Sequence, residues 1–378
     1  MAKNPEILFI SNYWKKSQGG GISTYLINLV EALKKRGIGI RVLSRHGIDP
    51  EQTILSGSKL FFVIKTLRLL RQQAGVPIVT SNDWYCLLPA LINKWIYRQQ
   101  VVHIFHTWPE EKMNKPLRWL MKYLTRRCDQ LIFVSEALRE YYSRDEGIDC
   151  RHSMIMHAGF PTPIIQPEKE KVEFLRKFGI DKKDIILCSQ AMTAHREKAR
   201  GLALLINVMK NLNQRRTVHL LVTKDGKYRA SLEKQVRSMG LQHRVHFTGD
   251  MENVYLPLSV SDLYLHITYA EGGVSLSILE AISKDIPVIA TSIGGIKELL
   301  RNEETGLLVE PSPTAIQQAI ESLIHDPDKA RKISHQAKEK LTPLFDWNKN
   351  AAMLLSFFFP EQEFPLTIPS PKVHNKVM

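Results

Sequence analysis

The stretch YAEGGVSLSILEAISKDIPVIATSIGG, from Tyr269 to Gly295, runs loop, helix, strand and turn without a break. Glu271, Gly272 and Gly273 open it, Glu280 stands inside the helix, Pro287 introduces the strand and Gly294-Gly295 makes the turn. Glycines ahead of a helix leave backbone N–H groups free at its positive end, so Gly272, Gly273, Val274 and Ser275 are suited to receive a phosphate or a sugar oxygen. The step from Gly273 to Glu280 is close to two helical turns, which turns the second carboxylate toward the helix entrance. A carboxylate in that place suits a pair of sugar hydroxyls. The same residues also spell an ordinary glycine-rich loop followed by a solvated glutamate, and the segment alone does not separate these readings.

Its surroundings repeat one pattern. Before it come strand DIILCSQ (Asp184–Gln190), the basic loop MTAHREKARG, helix LALLINVMKNL, strand VHLLVTKDG, helix ASLEKQVRSMG, strand VHFTGD and strand DLYLHIT. After it come strand TGLLVEP and helix TAIQQAIESLIHD. Further upstream lies a similar series: strand EILFIS, the loop Gly19-Gly20-Gly21, helix ISTYLINLVEALKKRG, strand IRVLS, strand PIVTSND, a helix over Trp84 to Tyr97, strand VVHIFHT and strand QLIFVS. Alternating strands and helices of this kind make a parallel sheet covered on both faces, and ligands then sit at the carboxyl ends of the strands. Asp83 and His106 fall at that edge, and the Gly19-Gly20-Gly21 loop reads either as a tight turn between strand and helix or as a backbone bed for phosphate or acceptor. Between the two series the chain reads HAGFPTPIIQP, with Pro161, Pro163 and Pro167 marking a domain boundary.

The expected fold class is therefore α/β, with two doubly wound units: residues 1–163 and residues 164–343. A helix follows over 344–360, and the proline-containing tail, 361–378, is expected to be without structure. A chain of 378 residues exceeds the roughly 250–300 at which a single core stops growing, which agrees with two units.

Composition narrows the function. Apolar residues at 44% and charged residues at 24% describe an ordinary globular protein. The net charge of +14 is less ordinary, and about +10 of it lies before Pro161. An excess of that sign calls for an anionic partner. Two stretches, KLFFVIKTLRLLRQQ and KMNKPLRWLMKYLTRR (Lys112–Arg127), mix basic and large apolar residues on a helical period and suit an anionic membrane surface as well as internal packing. No nucleic-acid motif accompanies the charge. Cys86, Cys128, Cys150 and Cys188 are scattered without a C-x-x-C pair, so neither a zinc site nor a disulfide framework is indicated. No segment has the uninterrupted apolar run of about 18 residues that a span requires, and the amino terminus lacks a signal-peptide core. The expectation is a cytoplasmic protein, with peripheral contact to the inner face of a membrane.

Taken together, ILFISNYW…GGGISTYLINLVEALKKRG, SNDWY, FHTWP, RRCDQLIFVSEAL, HAGF, RVHFTGD, EGGVSLSILEAISKDIPVIATSIGGIKELL, TGLLVEP and FDWNKNAA resemble, in order and spacing, the family-4 retaining glycosyltransferases of GT-B fold. The resemblance covers nearly the whole chain. It implies two Rossmann-like domains facing across a cleft, with the FDWNKNAA helix crossing back to the first domain.

It also implies roles. Glu280 matches the second acid of the family's Glu-x7-Glu pattern, which holds the ribose of a nucleotide-sugar donor. Glu271 matches the first acid, near the sugar hydroxyls, although eight residues separate the pair here instead of seven. Gly272, Gly273, Val274 and Ser275 lie by the sugar and diphosphate, and Gly20 and Gly21 match the glycine loop near the phosphates and acceptor. His106 matches the strand-end histidine beside the transferred sugar, so that His106 and Glu271 are the candidate catalytic residues. The family's Arg and Lys on the diphosphate have no counterpart at the usual place, and Arg196, Lys198 and Arg200 in SQAMTAHREKARG take that expectation. A diphosphate gains charge as it leaves, and cations or helix N-termini must stand there. In the link, Ala158-Gly159 replaces the common Asn-Gly. The implied chemistry needs no metal ion and no cofactor.

The resulting expectation is transfer of a sugar from a nucleoside-diphosphate sugar to a sugar or lipid-linked acceptor hydroxyl, with retention, in polysaccharide or glycolipid synthesis. A GT-B sugar-nucleotide epimerase and a non-catalytic nucleotide- or membrane-binding module fit the same residues.

Overall fold

The computed structural model describes residues 5–17, 20–109, 113–162, 164–212, 217–251 and 253–365. The first unit is built from β1 (Glu6–Tyr13), α1 (Gly21–Lys34), β2 (Gly39–His46), β3 (Thr53–Ile54), α2 (Lys59–Leu70), β4 (Ile78–Ser81), α3 (Trp84–Tyr97), β5 (Val101–Phe105), α4 (Lys115–Thr125), β6 (Gln130–Phe133), α5 (Glu136–Arg144) and β7 (Ser153–Ile155). Its strands form one parallel sheet in the order β3-β2-β1-β4-β5-β6-β7. The second begins with α6 (Glu168–Lys177), β8 (Ile185–Gln190), α7 (Arg196–Asn211), β9 (Val218–Thr223), α8 (Arg229–Ser238), β10 (Val245–Gly249) and α9 (Tyr255–Ser259). It continues through β11 (Leu263–His266), α10 (Leu276–Ser283), β12 (Val288–Thr291), α11 (Ile296–Leu299), β13 (Leu307–Val309), α12 (Pro313–His325) and α13 (Pro327–Leu341), before α14 (Trp347–Phe358). Its sheet is also parallel, in the order β10-β9-β8-β11-β12-β13.

Both sheets are sealed on two sides. Every residue of β5 (VVHIF) and of β8 (IILCSQ) is buried, which is why these strands read as continuous apolar runs instead of alternating ones. Strand order reverses between β1 and β4 in the first sheet and between β8 and β11 in the second. At such a reversal the two neighbouring loops diverge and open a crevice above the strand ends. The glycine loop follows β1, the basic loop follows β8 and the Glu271 segment follows β11, so the candidate residues collect at the two crevices.

The chain end ties the halves together. Helix α14 packs on α1, and Trp347 meets the Tyr25 ring edge-on at 4.9 Å. In the link, a Cβ on Gly159 would stand 2.5 Å from the Trp347 backbone nitrogen, so only glycine lets the connection pass. Phe160 N donates to Phe345 O at 2.9 Å.

Details depart from the sequence reading. The helix expected over Lys112–Arg127 spans Lys115–Thr125, because Asn114 accepts from Leu117 N at 3.0 Å and Pro116 occupies its first turn. Residues 361–365 of the tail are held: Pro365 O accepts from Arg36 at 2.8 Å and Phe364 packs on Phe359. The remaining tail, 366–378, lies outside the described residues, as does Gly19. The chain does carry one Asp-x-Asp, Asp326-Pro327-Asp328, and its place is structural: Asp326 caps α13 by accepting from Lys329 N at 2.9 Å, and Asp328 pairs with Arg331.

Candidate active site

Strand β11 is buried along its length and ends at His266, from which the chain turns out into the cleft to present Glu271. The Glu271 carboxylate accepts from His266 Nε2 at 2.8 Å and pairs with Lys198 Nζ at 2.8 Å. Burial works against its charge, but Lys198 and His266 outweigh burial and hold the carboxyl down at about 2. His266 itself is fully buried, which lowers its own affinity for a proton. The glycine turn packs beneath: Gly295 N reaches Glu271 O at 3.3 Å, and a Cβ on Gly294 would overlap Glu271 O.

Glu280, in the middle of α10, is placed differently. It has no carboxylate-to-cation contact within ion-pair distance among the described residues. Burial raises its carboxyl to about 7, with only the more distant Lys224 pulling the other way. Beside it stands Tyr255, whose hydroxyl is also raised by burial and by Glu280; Gln190, at the end of β8, has its Oε1 buried without a partner. Lys224 follows β9 at φ 72°, a left-handed residue at the same strand edge. Ser275 opens α10 without a side-chain cap, its hydroxyl lying 3.0 Å from that of Ser277, so the first N–H groups of the helix stay available.

The opposite wall comes from the first domain. His106 stands just past β5, its backbone nitrogen donating to Asn82 Oδ1 at 3.1 Å and its ring edge-on to Tyr25 at 4.9 Å. Its Nε2 is buried without a partner, as are Trp108 Nε1 and Asn12 Oδ1. Burial, with His103 adding to it, lowers His106 to about 3, so the imidazole is neutral. Gly20 starts α1 at φ 53°, a conformation that favours glycine, and a methyl group on Gly21 would rest 3.8 Å from Leu276 Cδ1. The amino ends of α1 and α10 therefore lie next to one another where the two domains meet, with the Leu276 side chain between them.

The walls touch at Gly272 and Gly273. A Cβ on Gly272 would come within 3.1 Å of Trp108 N, and one on Gly273 within 3.0 Å of Val134 Cγ2. Ser135 Oγ donates to Gly272 O. A third acid closes the contact: Glu298, carried on α11, accepts from the backbone nitrogens of Glu136 and Ala137 at 2.8 Å each and from His157 Nε2 at 2.9 Å. The carboxylate thus sits on the amino end of α5, and although its burial opposes ionisation, His157 and the two amides hold it below the usual carboxylate range.

Of the residues singled out by sequence, Glu271, Gly272, Gly273, Val274, Ser275, Glu280, Lys198, His106, Gly20 and Gly21 gather where the strand ends of the two domains meet, Val274 with its side chain in the core. Arg196 and Arg200 do not converge with them. Arg196 is largely exposed and lies 4.0 Å from Glu197, while Arg200 pairs with Glu197 at 2.6 Å and lies over the Tyr269 ring at 4.3 Å. Both stand in the first turns of α7, where successive side chains fan around the axis and only Lys198 points to β11. Sequence reasoning missed His266, Trp108, Asn12, Lys224 and Glu298. The signal for Glu298 was present in GGIKELL, an acid one turn after the glycine pair, but its partner helix is distant in the chain.

Chemically the site offers two neighbouring helix amino ends, the cations Lys198 and, farther off, Lys224, and a neutral imidazole, together with a carboxyl that no cation pairs among the described residues. This set can take a doubly charged diphosphate at the helix ends and hydroxyl groups at Glu280.

Comparison with known proteins identifies the family and the fold. The description "Glycosyltransferase Family 4" matches residues 19–162 and "Glycosyl transferases group 1" matches residues 170–340, together most of the chain. An alpha-D-kanosaminyltransferase of Streptomyces kanamyceticus is 25% identical over 297 residues, 74% of this chain and 75% of that protein. The lipopolysaccharide core biosynthesis mannosyltransferase LpsB of Rhizobium meliloti is 26% identical over 78% of this chain and 80% of its own length. Among solved structures, HepE of Anabaena in complex with UDP superposes with a TM-score of 0.75 at 18% identity, covering 93% of this chain and 99% of that one. The fold is that of the GT-B glycosyltransferases.

Proposed function

Because the chain belongs to the glycosyltransferases of family 4 and group 1, we propose that it moves a sugar from a nucleoside-diphosphate sugar to an acceptor hydroxyl with retention of configuration. The observation that carries this reading is the meeting of the α1 and α10 amino ends where the two domains join, with Lys198 at one side and the unpaired Glu280 at the other. The diphosphate lies at the helix ends, Glu280 accepts from the ribose hydroxyls, and the Glu271 segment takes the sugar. Lys198 is held by Glu271 until the diphosphate arrives. It then divides its charge between the carboxylate and the leaving phosphate, where negative charge grows as the glycosidic bond breaks. His106, neutral and with a free Nε2, hydrogen-bonds a hydroxyl of the transferred sugar. No enzyme nucleophile is needed when the acceptor attacks from the face of the leaving group and its proton passes to the departing phosphate oxygen. In this reading Lys198 and the two helix ends meet the charge of the diphosphate, and the chemistry needs no metal ion or cofactor.

The UDP bound to HepE and the mannosyl transfer named for LpsB support a nucleotide-sugar donor. The basic first half supports an acceptor that is anionic or carried at an anionic surface, which a lipid-linked glycan of polysaccharide or glycolipid synthesis on the cytoplasmic side satisfies. A panel of UDP-, GDP- and ADP-sugars tests the donor by thermal shift, since a ligand that binds only the folded chain raises Tm. Glu280→Ala should abolish both that shift and donor hydrolysis; unchanged behaviour would leave a non-catalytic module. Epimerised nucleotide sugar formed without acceptor would establish the epimerase instead.

A further inference from the structure

Helix α1 buries Tyr25, Leu26, Leu29, Val30, Ala32 and Leu33, the spacing of a face turned inward. A tyrosine on such a face needs a partner for its hydroxyl. The Tyr25 hydroxyl donates to Met156 O at 2.8 Å. Met156 is itself fixed, its nitrogen donating to Phe133 O at 2.9 Å as the chain leaves β7. Burial raises the Tyr25 phenol, so it stays protonated and remains a donor.

In the sheet order β5 and β7 stand two strand spacings apart, about 10 Å. Tyr25 bridges that distance. Its hydroxyl ends at β7, while its ring meets the His106 ring just past β5, at 4.9 Å between centres and 73° between planes. Trp347 of α14 touches the same tyrosine ring at 4.9 Å and 80°, and Trp347 in turn lies against the link at Gly159. The Tyr25 ring is thus held by a hydrogen bond at its tip, by a perpendicular indole and by its own helix, and only 3% of the residue is exposed.

The His106 ring has no such anchors of its own. Its backbone nitrogen is bonded to Asn82, but among the described residues no hydrogen bond reaches either ring nitrogen, and Nε2 is buried. An imidazole that presents one nitrogen is commonly fixed through a hydrogen bond at the other. In place of that bond, His106 has the Tyr25 ring, its one aromatic contact among the described residues. Edge-to-face pairs have a preferred geometry, so a ring that cannot turn restricts the plane of its neighbour.

We propose that Tyr25 is the positioning residue for His106, setting the orientation in which Nε2 is offered to a hydroxyl of the transferred sugar. The proposal rests on the role given to His106 above and adds the group that aims the imidazole. It also links that aim to the helix end assigned to the diphosphate: Ser23 and Thr24, directly before Tyr25, both donate to Gly20 O at 3.1 Å. One helix thereby registers sugar and phosphate together.

A double-mutant cycle tests this. Tyr25→Phe keeps the ring but frees its tip and should lower kcat of donor turnover about threefold, whereas Tyr25→Leu removes the ring and should lower it about 30-fold to 100-fold. Donor affinity by thermal shift should stay within about twofold in both, because the helix ends and Glu280 carry it. In a His106→Ala background neither substitution should lower kcat further, since no imidazole is left to aim. Losses of equal size in both backgrounds, the result of a packing role, overturn the proposal, and the Phe variant alone decides this if the Leu variant does not fold. Isotope-labelled histidine gives a reading independent of turnover. The His106 ring signals, assigned by their loss in His106→Ala, should be sharp in the parent, broadened in Tyr25→Phe and broader in Tyr25→Leu; signals as sharp in Tyr25→Phe as in the parent overturn the proposal too. Broadening in variants of a parent that turns over no nucleotide sugar would leave the aiming of the ring standing and overturn the transferase reading alone.

Discussion

Two acids on one loop and helix, Glu271 and Glu280, meet opposite environments. Glu271 is buried against Lys198 and His266, both at 2.8 Å, and is ionised down to about 2. Glu280 is raised to about 7 by burial and holds no cation within reach. The charge of the first is already committed to organising the loop and aiming a lysine. The second changes protonation near neutral pH and can respond to a ligand. Similar chemistry at short spacing thus divides into a fixed element and a responsive one, because β11 delivers Glu271 to the lysine of α7 while α10 holds Glu280 beside Tyr255 with Lys224 only at a distance.

The strongest way to break this contrast is Lys198→Ala. Removing one partner of a buried pair leaves the other charge stranded, so stability should fall by about 3 kcal/mol. Loss of the cation at the leaving group should lower kcat/KM by about 100-fold to 1,000-fold. Adding Glu271→Gln should restore most of the stability, read by thermal denaturation, and none of the turnover. Recovery of turnover in the double variant would reduce Lys198 to a structural role.

Next in size is the pH response of Glu280. Its folded-state affinity for a proton exceeds the ordinary carboxylate value, so between about 4.5 and 7 the folded chain binds more proton than the unfolded one and stability falls as pH rises. Donor binding, which needs the ionised form, should run the other way, with donor Kd falling about tenfold from pH 6 to pH 8. Calorimetric titration of Glu280→Gln should show a flat profile over that range; a parallel slope in both proteins would assign the pH dependence elsewhere.

A smaller effect is expected at Glu298, which joins the donor-side turn to α5. Glu298→Ala strips the amino end of α5 of its carboxylate and should cost about 1–2 kcal/mol. If it holds the cleft closed, kcat should fall several-fold while donor Kd scarcely moves. Least of all, Arg196→Ala and Arg200→Ala should each leave kcat/KM within about twofold, since surface pairs to Glu197 contribute little. A loss at Arg196 comparable with that at Lys198 would show that α7 turns when donor binds.

Much of this was legible in the chain. Burial of both sheet faces writes an apolar run into each strand, and the helix period writes its own pattern, so two doubly wound units could be read from the residues alone. The glycine and acid positions of Tyr269–Gly295 were legible for the same local reason: the needs of a tight turn and a helix entrance are met by adjacent residues. The choice among Arg196, Lys198 and Arg200 was not. Three cations within five positions of one helix differ only in azimuth, and the direction of β11 relative to α7 decides which one meets Glu271. Glu298 was hidden for a related reason, since its amide partners lie more than 160 residues earlier.

By itself, then, the sequence determined the α/β alternation, the two units, the loop–helix–strand order of Tyr269–Gly295 and the basic first half, because these follow from periodicity, turn chemistry and charge count. Only the tertiary structure decided which carboxylate is paired and which is left to titrate, which cation meets Glu271, and which helix end Glu298 caps. Those outcomes depend on distances between segments remote in the chain, which local residue preferences do not encode.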